Sequence, residues 1–255
     1  MTLVSLLVVI LWVAFSSLIL IFAALGIDPV FRLYYSNIMQ IIAPVLAAIF
    51  CYRTAINFPV GNPMRKVWGL LGSGVLAWGI GAILFISYPL LKNGNETPYP
   101  YLSDIGYLSL VPLVASALIL YKSRLGVDTP LWGKIIAVFL LSGGLIISLL
   151  ANWRSLFEQG AFLAIVSFCY IFFDPILLAI TVLVASTLYG GSAGTAWWYV
   201  LGGLILYFIG NQSYTYLVMT GQYASGSPID TLWVLGFGMI AVAAIITYSL
   251  FKDAD

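Results

Sequence analysis

The chain has no histidine, two cysteines and only 7% charged residues over its 255 positions. Each shortage removes a class of chemistry. Without imidazole, and with Cys51 and Cys169 far apart, the usual ligands of zinc, haem iron and related centres are missing, so no cofactor or metal is expected. A Ser–His constellation is excluded as well, and an intramembrane enzyme built on one buried acid would lack its second acid. No catalytic residue is therefore expected. Ten Lys and Arg against nine Asp and Glu give a net charge of +1 without a basic cluster, which argues against nucleic acid as a partner. A retinal Schiff base would need a lysine inside a hydrophobic run, and Lys252 only ends the last one. The two cysteines fall at depths about 10 Å apart, at 1.5 Å of helical rise per residue, so a disulfide is not expected.

What the chain has in abundance is apolar surface: 62% hydrophobic residues and a mean hydropathy of +1.08. That balance is far from a soluble protein's. Crossing about 30 Å of hydrocarbon takes roughly 20 helical residues. Eight runs are long enough, near 3–25, 35–55, 67–91, 102–122, 132–152, 162–188, 197–220 and 231–251. The expected fold is an all-α integral membrane protein of eight transmembrane helices, a single membrane domain over 1–255 with the lipid bilayer as its first partner.

Orientation follows from Lys and Arg, which gather in cytoplasmic loops. Arg53, Arg65, Lys66, Lys122, Arg124, Lys134 and Lys252 fall on one side, and Arg32, Lys92 and Arg154 on the other. Both termini are thus expected in the cytoplasm. Trp68, Trp132, Trp197 and Trp198 open runs at the inner interface, and Trp153 and Trp233 lie near the outer one, as amphipathic rings should. The first run follows Met1 without a positive segment and exceeds a signal-peptide core, so it is expected to remain as the first span.

Slid on itself by about 130 positions, the chain matches in order. Ala43 and Pro44 align with Asp174 and Pro175; Trp68, Gly74, Ile80 and Gly81 with Trp197, Gly203, Ile209 and Gly210; Asp104 with Asp230. An even number of spans per half makes the halves parallel, related by an axis along the membrane normal. The expected architecture is a parallel 4+4 tandem repeat, with repeat one over 1–125 and repeat two over 130–252.

Two predicted outer loops lead into similar helix starts: Pro100 to Asp104, Tyr107 and Leu108, and Ser227 and Pro228 to Asp230 and Trp233. This pattern resembles the multi-spanning N-terminal sensor modules fused to bacterial histidine kinases and diguanylate cyclases, over spans two to four and six to eight. The chain departs from it where Gly81-Ala82 and Gly210-Asn211 replace an expected Gly-Asp pair, and where Val111 precedes Pro112 in place of tyrosine. It ends at Asp255, and no kinase or cyclase output domain is expected on it. The resemblance implies a prokaryotic cytoplasmic membrane and a membrane or cytoplasmic partner protein.

Two sets of polar residues stand out. At the helix starts, Ser227 with Pro228 and Asp230 has the order of a capping box, and Ser103 with Asp104 is placed alike; these residues either cap their helices or contact a ligand. Asp174 lies near the middle of its span, with Ser167, Tyr170 and Thr181 on the same helix face. On span seven Tyr207, Asn211 and Tyr214 form a second stripe, with Tyr207 at the depth of Asp174, while Gln40 and Asn37 of span two lie nearer the outer surface. Asp174 either joins helices through Tyr207 and the carbonyls freed by Pro175, or serves a cation, proton or small polar ligand.

Three functions remain open: a sensory module, or standalone relative of one, that binds a small ligand or senses membrane state and acts through a partner; a structural or accessory subunit of a larger membrane complex; or a small secondary transporter using Asp174 at the midplane.

Overall fold

The computed structural model describes residues 3–157, 160–189 and 192–252. Eight helices follow one another: α1 (Leu3–Ala24), α2 (Pro29–Asn57), α3 (Pro63–Leu91), α4 (Ser103–Leu125), α5 (Leu131–Phe157), α6 (Ala161–Thr187), α7 (Ser192–Met219) and α8 (Asp230–Lys252). No other regular element occurs among the described residues. Local sequence sets the boundaries. Asp28 accepts the Phe31 N–H at 2.9 Å ahead of Pro29, and Asn62 accepts the Met64 N–H at 2.9 Å ahead of Pro63, so each proline stands where a helix has no use for its missing N–H. Gly126, at φ 61°, ends α4 in a left-handed turn that a side chain would resist.

Seven helices are long and apolar enough to cross a membrane. The exception is α7, whose 28 residues suffice in length but which carries the continuous polar run Asn211, Gln212, Ser213, Tyr214, Thr215 and Tyr216. Expectation and structure differ here because a polar stretch lowers the mean of a span that packs inside the bundle, where lipid does not judge it. The cysteines are both free, Cys51 in the core and Cys169 partly exposed.

Small residues let neighbouring helices meet. A Cβ on Gly74 would lie 2.7 Å from Val114 Cγ2 and 3.1 Å from the Leu110 carbonyl, and one on Gly203 would lie 2.5 Å from the Gly236 carbonyl and 3.2 Å from Ile240 Cγ1. A Cβ on Gly81 would lie 2.7 Å from the Tyr107 ring, as one on Gly210 would lie 2.9 Å from the Trp233 ring. Helix α2 packs on α8, and α6 on α4. Between them Trp68 and Trp197 stack at 5.7 Å, with Tyr121 on the far face of Trp197 at 4.4 Å. The outlying helices break this evenness: α1 lies on α8, with the Trp12 indole donating to the Val234 carbonyl at 2.8 Å, whereas α5 lies on α6 and α7. Most of α5 is exposed apolar surface, including Ile135, Val138, Phe139, Ile146 and Leu150.

Candidate functional site

At the end of the bundle where α3 turns into α4 and α7 into α8, here the clasp end, two aspartates begin helices in opposite halves. Asp104 Oδ2 accepts the Tyr101 N–H at 2.7 Å, and its Oδ1 accepts the Tyr170 hydroxyl of α6 at 2.7 Å. Asp230, 0% exposed, accepts the Ser36 hydroxyl of α2 at 2.6 Å and the Gly226 N–H at 2.7 Å on Oδ2, and the Tyr223 hydroxyl at 3.1 Å on Oδ1. Each carboxylate therefore caps the turn before its own helix and reaches a hydroxyl on a helix distant in sequence, α6 for Asp104 and α2 for Asp230. The serines do not take the cap role expected of them. Ser227 Oγ has no partner, and no side chain caps α4 from the residue before Ser103. The reason is a helix that begins at Asp230 itself, so that the carboxylate reaches back four residues to Gly226 and the serine hydroxyl is turned away from the free N–H groups.

The two long connections are tied together over these starts. Glu96 accepts the Ser225 N–H at 2.9 Å and the Ser225 hydroxyl at 2.7 Å, and the Thr97 hydroxyl donates to the Phe85 carbonyl at 2.8 Å. Beneath the clasp lies a cavity of about 30 Å³ walled by Gln40, Tyr99, Asp104, Tyr170, Tyr214 and Trp233, with further aromatic rings from Trp78, Phe85, Tyr107 and Tyr223. That is room for one or two waters, since a single water needs roughly 10–15 Å³. Neither lysine nor arginine lines it. Gln40 reaches the Asp230 group through its donation to Ser36 Oγ at 3.1 Å. Burial pushes the phenols of Tyr99 and Tyr223 up from their ordinary value, and the nearby carboxylates of Asp104 and Asp174 at Tyr99, and of Asp230 at Tyr223, push in the same direction.

Asp174, 1% exposed, stands behind this chamber rather than in its wall. Its Oδ2 accepts Asn211 Nδ2 at 2.9 Å and Gln212 Nε2 at 3.3 Å, and Asn211 Oδ1 in turn accepts the Trp233 indole at 2.9 Å. Asn211 thus joins the buried acid to the chamber wall. Tyr207, expected opposite Asp174, has a hydroxyl without a partner. Side chains on a helix lean toward its N-terminus, so on antiparallel α6 and α7 Asp174 leans toward higher numbers of α7 and Tyr207 leans away. The match slips by one turn, from Tyr207 to Asn211. Thr181 of the same α6 face is satisfied locally, donating to the Leu177 carbonyl at 2.7 Å.

The structure therefore brings Tyr170, Asn211, Tyr214, Gln40, Ser103 and Asp104 to one chamber, places Asp174 and Asp230 directly behind it, and leaves Tyr207 and Ser227 unpaired. It also adds residues that the sequence reading passed over. Asn152 of α5 donates to Gln212 Oε1 at 3.4 Å and to the Ser148 carbonyl at 2.9 Å. Ser148, Asn152 and Ser155, spaced at i, i+4 and i+7, are the buried polar line of a helix whose remaining surface is mostly exposed and apolar, and that spacing was present in the sequence. No protein-family model, curated protein or solved structure matches the chain.

Proposed function

We propose that this chain is a polytopic membrane protein in which two parallel four-helix halves enclose a binding chamber at the outer face of a prokaryotic cytoplasmic membrane, and that it works as a sensory module through a partner protein. The observation that carries the reading is the chamber: aromatic, built from both halves, edged by the Asp104 carboxylate and, among the described residues, lined by neither lysine nor arginine. Such a site suits a small cation or a neutral donor of hydrogen bonds, whose charge or N–H groups meet Asp104 and the ring faces. A ligand larger than a few atoms requires the clasp of Glu96 and Ser225 to move. That links occupancy to the loops and to the starts of α4 and α8, which is the coupling a sensor needs.

The halves are supported by paired contacts at aligned positions, Gly74 with Gly203 and Gly81 with Gly210, and by the crossed packing of α2 on α8 and α6 on α4. Both termini in the cytoplasm is supported by the cluster of Arg53, Arg65, Lys66, Lys122, Arg124 and Lys134 at the end opposite the clasp. Against a transporter stands the core between the chamber and that opposite end, filled by Leu71, Val75, Leu118, Trp68 and Trp197, where the hydroxyls of Thr54 and Thr181 are already held by the Ala244 and Leu177 carbonyls.

The test is purification in native lipid, with mass spectrometry of everything retained, for the wild type, Asp104→Asn and Tyr214→Phe. The expected result is a small cationic or polar molecule lost or depleted in both variants, together with a regulatory or signalling protein that stays bound. Uptake of that molecule into sealed vesicles by the purified protein would replace the sensory reading with transport. An identical set of retained molecules in all three proteins would remove the chamber from the function.

A further inference from the structure

The chamber uses only one side of Asp174. Its Oδ2 holds Asn211 and Gln212, but Oδ1 has no partner although the residue is 1% exposed. Two more unpartnered oxygens come from α5: Asn152 Oδ1 and Ser148 Oγ, on residues that are both 0% exposed. The Asn152 amide nitrogen is occupied by the Ser148 carbonyl and Gln212 Oε1, so what Asn152 has left to offer is an acceptor.

A close helix crossing and one bridging side chain bring these residues of α5, α6 and α7 together. Helices α5 and α6 touch where a Cβ on Gly144 would lie 3.0 Å from Pro175 Cβ. Ser148 is one turn along α5 from that crossing and Asn152 one turn further, in the direction toward which the Asp174 side chain leans. Gln212 spans the group, donating to Asp174 at 3.3 Å and accepting from Asn152 at 3.4 Å. Pro175 has no N–H to return to the Ile171 carbonyl, which adds a fourth oxygen on the same stretch of α6. Each of the four can turn a lone pair to a cation, the Ser148 hydroxyl oxygen included, and among the described residues no lysine or arginine is hydrogen-bonded to them.

An unpaired carboxylate in such a setting is expensive, and one positive charge placed among these oxygens offsets that cost for all of them together. A soft metal would want thiolate or imidazole, and a doubly charged hard ion would want more than one carboxylate. No group of three or more His, Cys, Asp or Glu among the described residues could hold a metal ion of that kind. We propose that Asp174, Asn152 and Ser148 form a site for a dehydrated monovalent cation of the alkali class, set between α5, α6 and α7 and separate from the chamber. Because α5 exposes most of its length and meets the bundle along one face, on α6 and α7, the cation adds a further fastening of this outlying helix.

The test uses the full chain in nanodiscs of zwitterionic lipid, with sodium, potassium or N-methylglucamine chloride at equal ionic strength, reading thermal unfolding and hydrogen exchange over α5. The expected result is a midpoint that climbs with the logarithm of alkali-ion concentration, with slower exchange in α5. Both effects are abolished by Asp174→Asn and weakened by Asn152→Leu and Ser148→Ala. Asp104→Asn, which changes the chamber and the start of α4 but none of the hydrogen bonds of Asp174, Asn152 or Ser148, should keep the full cation response, so failure of the chamber reading and failure of this one are told apart. If Asp174→Asn does not fold, the two α5 variants carry the test. Equal midpoints in alkali and N-methylglucamine salts would overturn the site, and so would a response that follows pH alone, since a proton would then complete Asp174 Oδ1.

Discussion

Asp230→Ala is the substitution with the largest expected effect on the clasp end. The carboxylate is fully buried and accepts three hydrogen bonds, from Ser36, Gly226 and Tyr223, at 2.6, 2.7 and 3.1 Å. A hydrogen bond to a charged acceptor contributes roughly 1.5–3 kcal/mol, and a buried donor left without a partner costs about 1–3 kcal/mol. The three losses are unequal. The Tyr223 bond, at 3.1 Å, is the longest of the three, and Ser36 can turn its hydroxyl to the carbonyl one turn back in α2, as Ser16 does to Trp12 at 2.6 Å. Gly226 cannot, because its backbone is pressed against Arg32, with a Cβ position 2.6 Å from Arg32 Cβ. Counting one loss in full and two in part gives about 3–5 kcal/mol. Asp28→Ala is the internal calibrator: that side chain also caps a helix, but it is exposed and holds one N–H, for which about 1 kcal/mol is expected. Chemical unfolding of both variants in the same bicelle, followed by helical circular dichroism, gives the comparison. An Asp230→Ala protein no less stable than Asp28→Ala would refute the claim that this carboxylate holds α8 to α2.

Gly203→Ala should cost about 1–3 kcal/mol, because the new methyl meets the Gly236 carbonyl and the backbone has nowhere to yield, whereas Gly69→Ala, with open space around it, should be neutral in the same unfolding assay. Tyr170→Phe removes the 2.7 Å donor to Asp104 and should cost roughly 1.5–3 kcal/mol, together with an altered chamber ligand profile by mass spectrometry. Tyr99 and Tyr223 should resist ionisation. Their folded pKa values lie above the ordinary 10.0, so the stability tied to the neutral phenols is present below pH 10 and is lost as pH rises through the folded values. Ultraviolet titration should show a class of late phenols among the 16 tyrosines that ionise only with loss of helix; complete titration near pH 10 with circular dichroism unchanged would contradict it.

Run length and hydropathy were enough to place seven of the helices, because a continuous apolar stretch of that length has few other ways to satisfy its backbone, while α7 was placed by its length despite its polar run. The prominence of Asp174, Asp104 and Asp230 was also legible, since acids are rare in such surroundings and therefore informative. Pairing was less legible. Depth counted along separate helices put Tyr207 opposite Asp174, whereas the lean of side chains on antiparallel helices moved the contact to Asn211 and Gln212. Ser148 and Asn152 were passed over because serine and asparagine are ordinary in a membrane helix, and only the packing of α5 against α6 at Gly144 and Pro175 shows that they face an acid. The capping expectation at Ser227 failed for a local reason, a helix start two residues later than the proline suggested.

The bond from Ser36 to Asp230 joins residues 194 positions apart, and that from Tyr170 to Asp104 joins residues 66 apart. During synthesis the first half therefore emerges with an open end. Its second helix carries a hydroxyl whose acceptor is not made until the last helix begins, and its fourth helix starts on an aspartate that waits for the sixth. The ring of contacts at the clasp end closes only when α8 arrives, so assembly of this bundle has a distinct final step that depends on the whole chain, and a ribosome-stalled or truncated product lacking α8 should remain open there even with every preceding helix formed.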